Sequence, residues 1–458
     1  MSKVIKNKKY FGTDGIRGVA NRSPIVPEFI LGLGKAAGSF FRKGKTKPKI
    51  IIGKDTRLSG YMIESALMSG ICAMGTDVYM VGPLPTPAIS FLVKSMRADA
   101  GIVISASHNP YTDNGIKFFG PDGKKLSDDA ELAIEELMDS GPLDGPEGSG
   151  LGKAHRVADA EGRYVAFSKG TIDETISFEG LKIVIDCANG AAYEVAPTIF
   201  AEMGADITVI GGSPDGLNIN EGCGSMDPER MATAVRENEA HVGIALDGDA
   251  DRVIMCDERG KLVDGDDILF LNALKLHDSG DLPNDTVIGT IMTNVGLQKV
   301  LRERGISLLR SPVGDRYVQE EMDRTGSVLG AEPSGHVIFS KYAPTGDGIV
   351  TALQTIGVMV NRGKPLSELT AGWKRYPQIM ENLRVVGDRV PLEGQDWYEE
   401  LLVDAHRALG EDHLLSLRYS GTEPLLRVTV SCGSVDQMAE VCEHICETLI
   451  ARFGWERI

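Results

Sequence analysis

Three times in this chain a short apolar, β-branched run stops abruptly in a small polar loop. Gly101-Ile102-Val103-Ile104 runs into Ser105-Ala106-Ser107-His108-Asn109-Pro110. Val242-Gly243-Ile244-Ala245-Leu246 runs into Asp247-Gly248-Asp249-Ala250-Asp251-Arg252. Ser327-Val328-Leu329 runs into Gly330-Ala331-Glu332-Pro333-Ser334-Gly335-His336. Runs of this kind read as buried strands, and loops at strand carboxyl ends are where open α/β sheets place their chemistry. Around them strand and helix signals alternate. A strand leading into a loop over 49–56 precedes a helix over about 60–73, a strand at 77–81, a helix at 86–94 and the 101–104 strand. A second round has a strand at 181–186, a helix through 200, and strands at 206–210 and 242–246. A third has a helix near 266–275, a strand at 286–290 and a helix over 348–360. The pattern predicts three similar doubly wound α/β domains. The tail differs: strands at 382–386 and 426–430 and a long helix over 435–452 read as a smaller α+β domain.

At 458 residues the chain exceeds one hydrophobic core, and the Gly-, Pro- and Ser-rich stretch 139–150 reads as a linker. The expected division is 1–155 with the serine loop, 156–258 with the aspartate loop, 259–372 with the Glu332 loop, and 373–458. A net charge of −17 excludes nucleic acid and anionic membrane as partners. No run approaches the ~18 apolar residues of a membrane span. The basic amino terminus lacks the apolar run of a signal peptide. Seven scattered cysteines with no Cys-x-x-Cys pair fit a reducing, cytoplasmic setting. An anionic ligand would require positive charge concentrated in its cleft.

The loops carry distinct chemistries. Ser107 sits at a sharp turn between small Ala106 and polar His108, although a Ser-rich stretch before Asn-Pro also reads as a plain turn. Asp247, Asp249 and Asp251 alternate in a tight loop and repel one another unless a cation sits among them. Hard oxygen ligands suit magnesium or calcium; a solvated acidic turn is the alternative. An EF-hand is excluded, because Arg252 stands at the sixth position where glycine is required and Val253-Ile254-Met255 is strand-like. Few protein ligands leave room for a phosphate oxygen, which points to magnesium. Glu332, Ser334 and His336 would share a face in extended geometry and suit sugar hydroxyls, or else form a capped loop. Arg418-Tyr419-Ser420-Gly421-Thr422-Glu423-Pro424-Leu425-Leu426-Arg427 makes a phosphate cradle of guanidinium forks and amide donors, or a surface turn with solvated arginines. Phe11-Gly12-Thr13-Asp14-Gly15-Ile16-Arg17-Gly18 offers a further arginine in a glycine-rich, flexible setting.

These five motifs, with Asp113-Asn114-Gly115-Ile116-Lys117 after the serine loop, occur in an order that resembles the α-D-phosphohexomutase family along the whole chain. The opening motif, Val313-Gly314-Asp315-Arg316-Tyr317-Val318 and Ser420-Gly421-Thr422-Glu423-Pro424 look like its glucosamine branch. The resemblance implies interconversion of glucosamine 6-phosphate and glucosamine 1-phosphate, feeding amino-sugar precursors of the cell wall. It implies a phosphoserine at Ser107, a bisphosphorylated sugar intermediate, and a sugar bisphosphate as activator. One Mg²⁺ would be held by Asp247, Asp249, Asp251 and the Ser107 phosphate. Arg17 and Arg252 would offset phosphoryl charge, and His108 would steady the loop. Lys117 would be the general acid/base, its pKa lowered by desolvation and neighbouring cations. Glu332, Ser334 and His336 would bind the sugar, and Arg418, Ser420, Gly421, Thr422 and Arg427 the non-reacting phosphate. A homodimer is implied by the bacterial members. The same machinery would serve a phosphomannomutase/phosphoglucomutase, and an inactive sugar-phosphate-binding protein or a phosphatase are the rivals from other classes. Two departures stand out: Ala250 where many members have glycine, and Pro333, which removes a backbone donor beside the sugar pair.

Overall fold

The computed structural model describes residues 8–420 and 424–458, which form two compact bodies. One comprises the chain to residue 291 together with 309–370; the other comprises 292–308 and 371–458. Among the described residues no helix is long and apolar enough to cross a membrane.

The first body contains three sheets of one design. In the six-stranded sheet, Lys49–Lys54 lies between Asp77–Pro83 and Ala100–Ile104, all parallel. Ile50, Ile51 and Ile52 have no exposed surface, as a parallel strand covered on both faces requires. Ala154–Arg156 adds a parallel edge, so the 139–150 linker leads back into this sheet. In the second sheet Lys182–Asp186 pairs in parallel with Asp206–Ile210 and Val242–Leu246. In the third, Thr286–Thr290 pairs in parallel with Leu329–Ala331. Helices start where side chains cap them: Ser127 before Asp128–Asp139, Asp264 in a reciprocal capping box before Gly265–Asp278, and Asp347 before Gly348–Arg362.

Each sheet then leaves the doubly wound pattern at one place. The strand before each polar loop turns straight back into an antiparallel partner: Ala100–Ile104 into Asp113–Phe119, Val242–Leu246 into Val253–Cys256, Leu329–Ala331 into Val337–Phe339. The three loops are therefore hairpin connections rather than strand-to-helix turns. The amino-terminal motif is also more ordered than its glycines imply. Ile16–Val19 is a strand, with Arg17 opposite Gly115 on Asp113–Phe119. Gly15 (φ +78°) is what allows this close approach, since a Cβ there would lie 2.3 Å from the Ile116 carbonyl oxygen.

The second body is an antiparallel sheet in the order His413–Tyr419, Leu425–Cys432, Gln378–Arg384, Glu456–Arg457. Leu383, Leu426, Val428 and Val430 meet Ile445 and Leu449 of the helix Val435–Phe453 in its core. Its strands His413–Tyr419 and Leu425–Cys432 pair antiparallel, with Arg418 opposite Arg427.

Candidate active site

In the first body the serine and aspartate hairpins meet tip to tip. Ser107 is 2% exposed, and its hydroxyl donates to Asp247 Oδ2 at 2.6 Å. Its φ of +53° turns the side chain out of the strand line, a conformation that costs a non-glycine residue about 1–2 kcal/mol. Several contacts hold it there. The Ser107 amide donates to Ser105 Oγ at 2.9 Å, and its carbonyl accepts from Arg57 Nη2 at 3.1 Å and Asn220 Nδ2 at 3.0 Å. Arg57, fully buried, is itself paired with Asp55. Gly248 lets the two loops touch: a Cβ there would lie 2.6 Å from the Ser107 carbonyl oxygen.

Asp247, Asp249 and Asp251 each offer an oxygen within 4.8 Å of the others, and all three are buried. Asp247 Oδ1 accepts from the Arg252 amide at 3.1 Å; Asp249 Oδ2 accepts from Thr86 Oγ1 at 2.7 Å and Lys117 Nζ at 2.9 Å. Asp249 Oδ1 and Asp251 Oδ1 are buried with no hydrogen-bond partner. Three clustered, buried carboxylates with two orphaned oxygens are the donor set of a hard divalent cation, so the residues fit a metal site. Burial, then repulsion from Asp251 and Asp249, pushes the Asp247 carboxyl well above its usual range. Asp251 goes the other way: although burial opposes it, Lys117 and His336 hold it low.

Lys117 corrects the sequence expectation. Burial works to lower its pKa, but Asp14 at 3.3 Å, Asp249 and Asp251 at 3.5 Å outweigh it and hold the ammonium well above its usual value. The cation Arg17 acts in the expected direction but is overruled by three carboxylates. Arg17 donates to Asp14, and its Nε is buried without a partner. Arg252 lies half-buried, Nε 3.9 Å from Asp251 Oδ1. His108 Nδ1 is 3.3 Å from Ser107 Oγ, and burial together with Arg252 and Arg17 lowers its pKa.

The expected shared face of Glu332, Ser334 and His336 does not form. Gly335 (φ +88°) turns the chain, leaving Ser334 exposed while Glu332 and His336 are buried. Glu332 Oε1 accepts from the Gly314 amide at 3.0 Å. His336 lies behind the aspartates, Nδ1 3.7 Å from Asp251 Oδ1, and its Nε2 accepts from the Gly346 amide at 3.1 Å. A helix-like or hairpin-tight turn breaks period-two alternation, which is why spacing misplaced His336.

In the second body Arg418 and Arg427 stand directly opposite each other across the paired strands. Ser420 is buried, its amide donating to Leu425 O at 2.8 Å and its carbonyl accepting from Arg389, which the sequence reading missed. Gly421 and Thr422 lie outside the described residues. Also missed were Asp14, Asp55, Arg57, Thr86, Asn220, Lys125 and Asp315. Asp55-Thr56-Arg57 follows a strand's carboxyl end, as the recognised loops do, and was legible on that ground; Asn220 carries no such mark.

Phosphoglucomutase/phosphomannomutase alpha/beta/alpha domains I, II and III match residues 8–143, 163–260 and 264–376, and the C-terminal domain of the same family matches 361–448. The chain belongs to this family, the α-D-phosphohexomutases, and is a phosphosugar mutase. Among its relatives, the phosphoglucosamine mutase of Syntrophotalea carbinolica is 50% identical over 456 residues, covering 98% of each chain. A phosphoglucomutase/phosphomannomutase family protein from Burkholderia thailandensis superposes with TM-score 0.81 at 25% identity, over 96% of this chain and 97% of that one. The Aspergillus fumigatus N-acetylphosphoglucosamine mutase, solved with GlcNAc-6P and magnesium, shares the fold (TM-score 0.64, 16% identity, 97% and 96% covered).

Proposed function

We propose that the chain interconverts glucosamine 6-phosphate and glucosamine 1-phosphate, with Ser107 as the phosphoryl carrier. The observation that carries this is the Ser107 hydroxyl, 2.6 Å from one of three clustered aspartates, two of which keep a buried oxygen (Asp249 Oδ1 and Asp251 Oδ1) without a hydrogen-bond partner. The choice of sugar rests on the relatives named phosphoglucosamine mutase. Phosphorylated Ser107 gives its phosphoryl group to the sugar O1: the O1–P bond forms, the Oγ–P bond breaks, and the O1 proton passes to the site. The 1,6-bisphosphate turns over, the phosphoryl group on O6 returns to Ser107 Oγ, and O6 takes back a proton.

Asp247, Asp249 and Asp251 would hold Mg²⁺, which when bound supplies Lewis-acid neutralisation of phosphoryl oxygens. Lys117, kept cationic by its carboxylates, acts as a charged donor toward the phosphoryl group and a proton source for the departing serine oxygen. Arg17 and Arg252 offset phosphoryl charge. His108, biased toward its neutral form beside Ser107 Oγ, takes up the proton of the attacking hydroxyl. Glu332 and Ser334 bind sugar hydroxyls, while His336 positions Asp251. Arg418 and Arg427 grip the phosphate that is not reacting, which a phosphatase would not need.

The test is turnover by purified protein with Mg²⁺ and a sugar bisphosphate activator, each hexose phosphate offered separately. Highest kcat/KM on glucosamine 6-phosphate supports the reading. Preference for glucose or mannose phosphates replaces the sugar, and steady release of inorganic phosphate replaces the reaction.

A further inference from the structure

Lys125 lies in the loop after Asp113–Phe119, and Asp315 begins the helix Asp315–Thr325; no reading of the motifs gave either a task. Lys125 Nζ donates to Asp14 Oδ1 at 2.5 Å and also to Asp315 Oδ2. Asp14 in turn faces Lys117 Nζ at 3.3 Å, and Lys117 faces Asp251 Oδ2 at 3.5 Å. On the other side Asp315 Oδ2 lies 3.8 Å from His336 Nε2, and His336 Nδ1 lies 3.7 Å from Asp251. The six side chains close a ring of alternating acid and base around the aspartate loop. The ring also reaches the sugar side, because Gly314, the residue before Asp315, donates its amide to Glu332 at 3.0 Å.

We propose that Lys125 and Asp315 are positioning residues for phosphoryl transfer, their ion pair seating the Gly314–Glu332 corner against the Asp14–Lys117 pair. This rests on the mutase reading above. An exposed ion pair would contribute little, and the same segments hold one: Lys124 and Asp323, 38% and 52% exposed, pair at 2.6 Å. Lys125 and Asp315 are 19% and 21% exposed; Asp315 lies against His336, which faces Asp251, and Lys125 holds Asp14, which faces Lys117. Removing Lys125 leaves Asp315 with only His336 beside it and Asp14 with Arg17 and Lys117, and it cuts the link between the two carboxylates in a partly desolvated site. Asp14 then loses its anchor, and Lys117 loses a fixed partner.

The experiment compares Lys125→Met, Asp315→Asn, their double variant, Lys125→Arg and Lys124→Met by kcat, KM, melting temperature and Ser107 phosphorylation by intact mass. Expected are ten- to hundredfold losses in kcat for each single variant, with KM changed less than about threefold. The double variant should be no worse than the poorer single, because the two residues act through one bond. Lys125→Arg should recover most of the rate, and Lys124→Met should match wild type. If Lys125→Met destabilises the fold, Asp315→Asn, which keeps the side-chain shape, and the arginine rescue decide the matter. An active wild type whose Lys125→Met and Asp315→Asn variants keep kcat within twofold overturns this proposal alone, as does a double variant that multiplies the single losses. A wild type that turns over no hexose phosphate overturns the mutase reading, and this proposal with it.

Discussion

The aspartate hairpin at 247–252 and the paired strands His413–Tyr419 and Leu425–Cys432 each bring like charges together, yet they handle that charge in different ways. In the first, three carboxylates are buried; Lys117 and the Arg252 amide meet part of their charge, and two of their oxygens stay without a hydrogen-bond partner. Like charge is concentrated and then locked in place from several elements. In the second, Arg418 and Arg427 stand side by side on half-buried strand positions above an apolar core. On the reading proposed above, the first holds the geometry of phosphoryl transfer and the second holds the phosphate that is not reacting.

The strongest challenge to that contrast is Ser107→Ala. Removing the carrier atom should lower turnover on the order of ten-thousandfold or more, with an unchanged melting temperature and no phosphorylated species by intact mass. An active variant phosphorylated elsewhere would move the chemistry out of this hairpin.

Asp249→Asn sharpens it. Loss of one anionic ligand should cut kcat on the order of a hundredfold and raise the Mg²⁺ concentration needed for half-maximal rate. Full wild-type activity in excess chelator would reduce the aspartate loop to an acidic turn.

Arg427→Ala tests the gripping side. The expected loss is about 1.5–3 kcal/mol, or roughly ten- to two-hundredfold in kcat/KM, with a substantial share in KM. Unphosphorylated sugar should bind variant and wild type alike. A loss confined to kcat, as at Asp249, would erase the distinction between the two regions.

The smallest effect is at Ala250, buried with φ +55° in the middle of the aspartate loop. This is the left-handed conformation that glycine adopts freely, which accounts for the glycine expected there and makes the departure a matter of strain rather than ligation. Ala250→Gly should raise stability by up to about 1 kcal/mol, measured by denaturant midpoint, with kcat unchanged. A destabilised variant would show that the loop's rigidity comes from Ala250 rather than from the charges around it.

Much of this was written locally. The runs ending at Ile104, Leu246 and Leu329 announced buried strands, and the alternation of Asp247, Asp249 and Asp251 announced a cation site, because both signals lie within a few residues. For the last domain the sequence shows two strands, at 382–386 and 426–430, whereas the described residues form four, since His413–Tyr419 and Glu456–Arg457 do not stand out as apolar runs.

By itself the sequence determined the strands, the polar loops that end them and the kinds of ligand they can hold, since these follow from side-chain chemistry and short-range periodicity. Tertiary structure alone decided that the loops are hairpins and that Ser107 meets Asp247 across 140 positions of chain. It also decided that Lys117 stays cationic, and that Lys125 joins Asp14 to Asp315. A strand's partner and a buried group's electrostatic environment are sums over residues far apart in sequence. No local pattern encodes them until the chain has folded and excluded water from the charges it brings together.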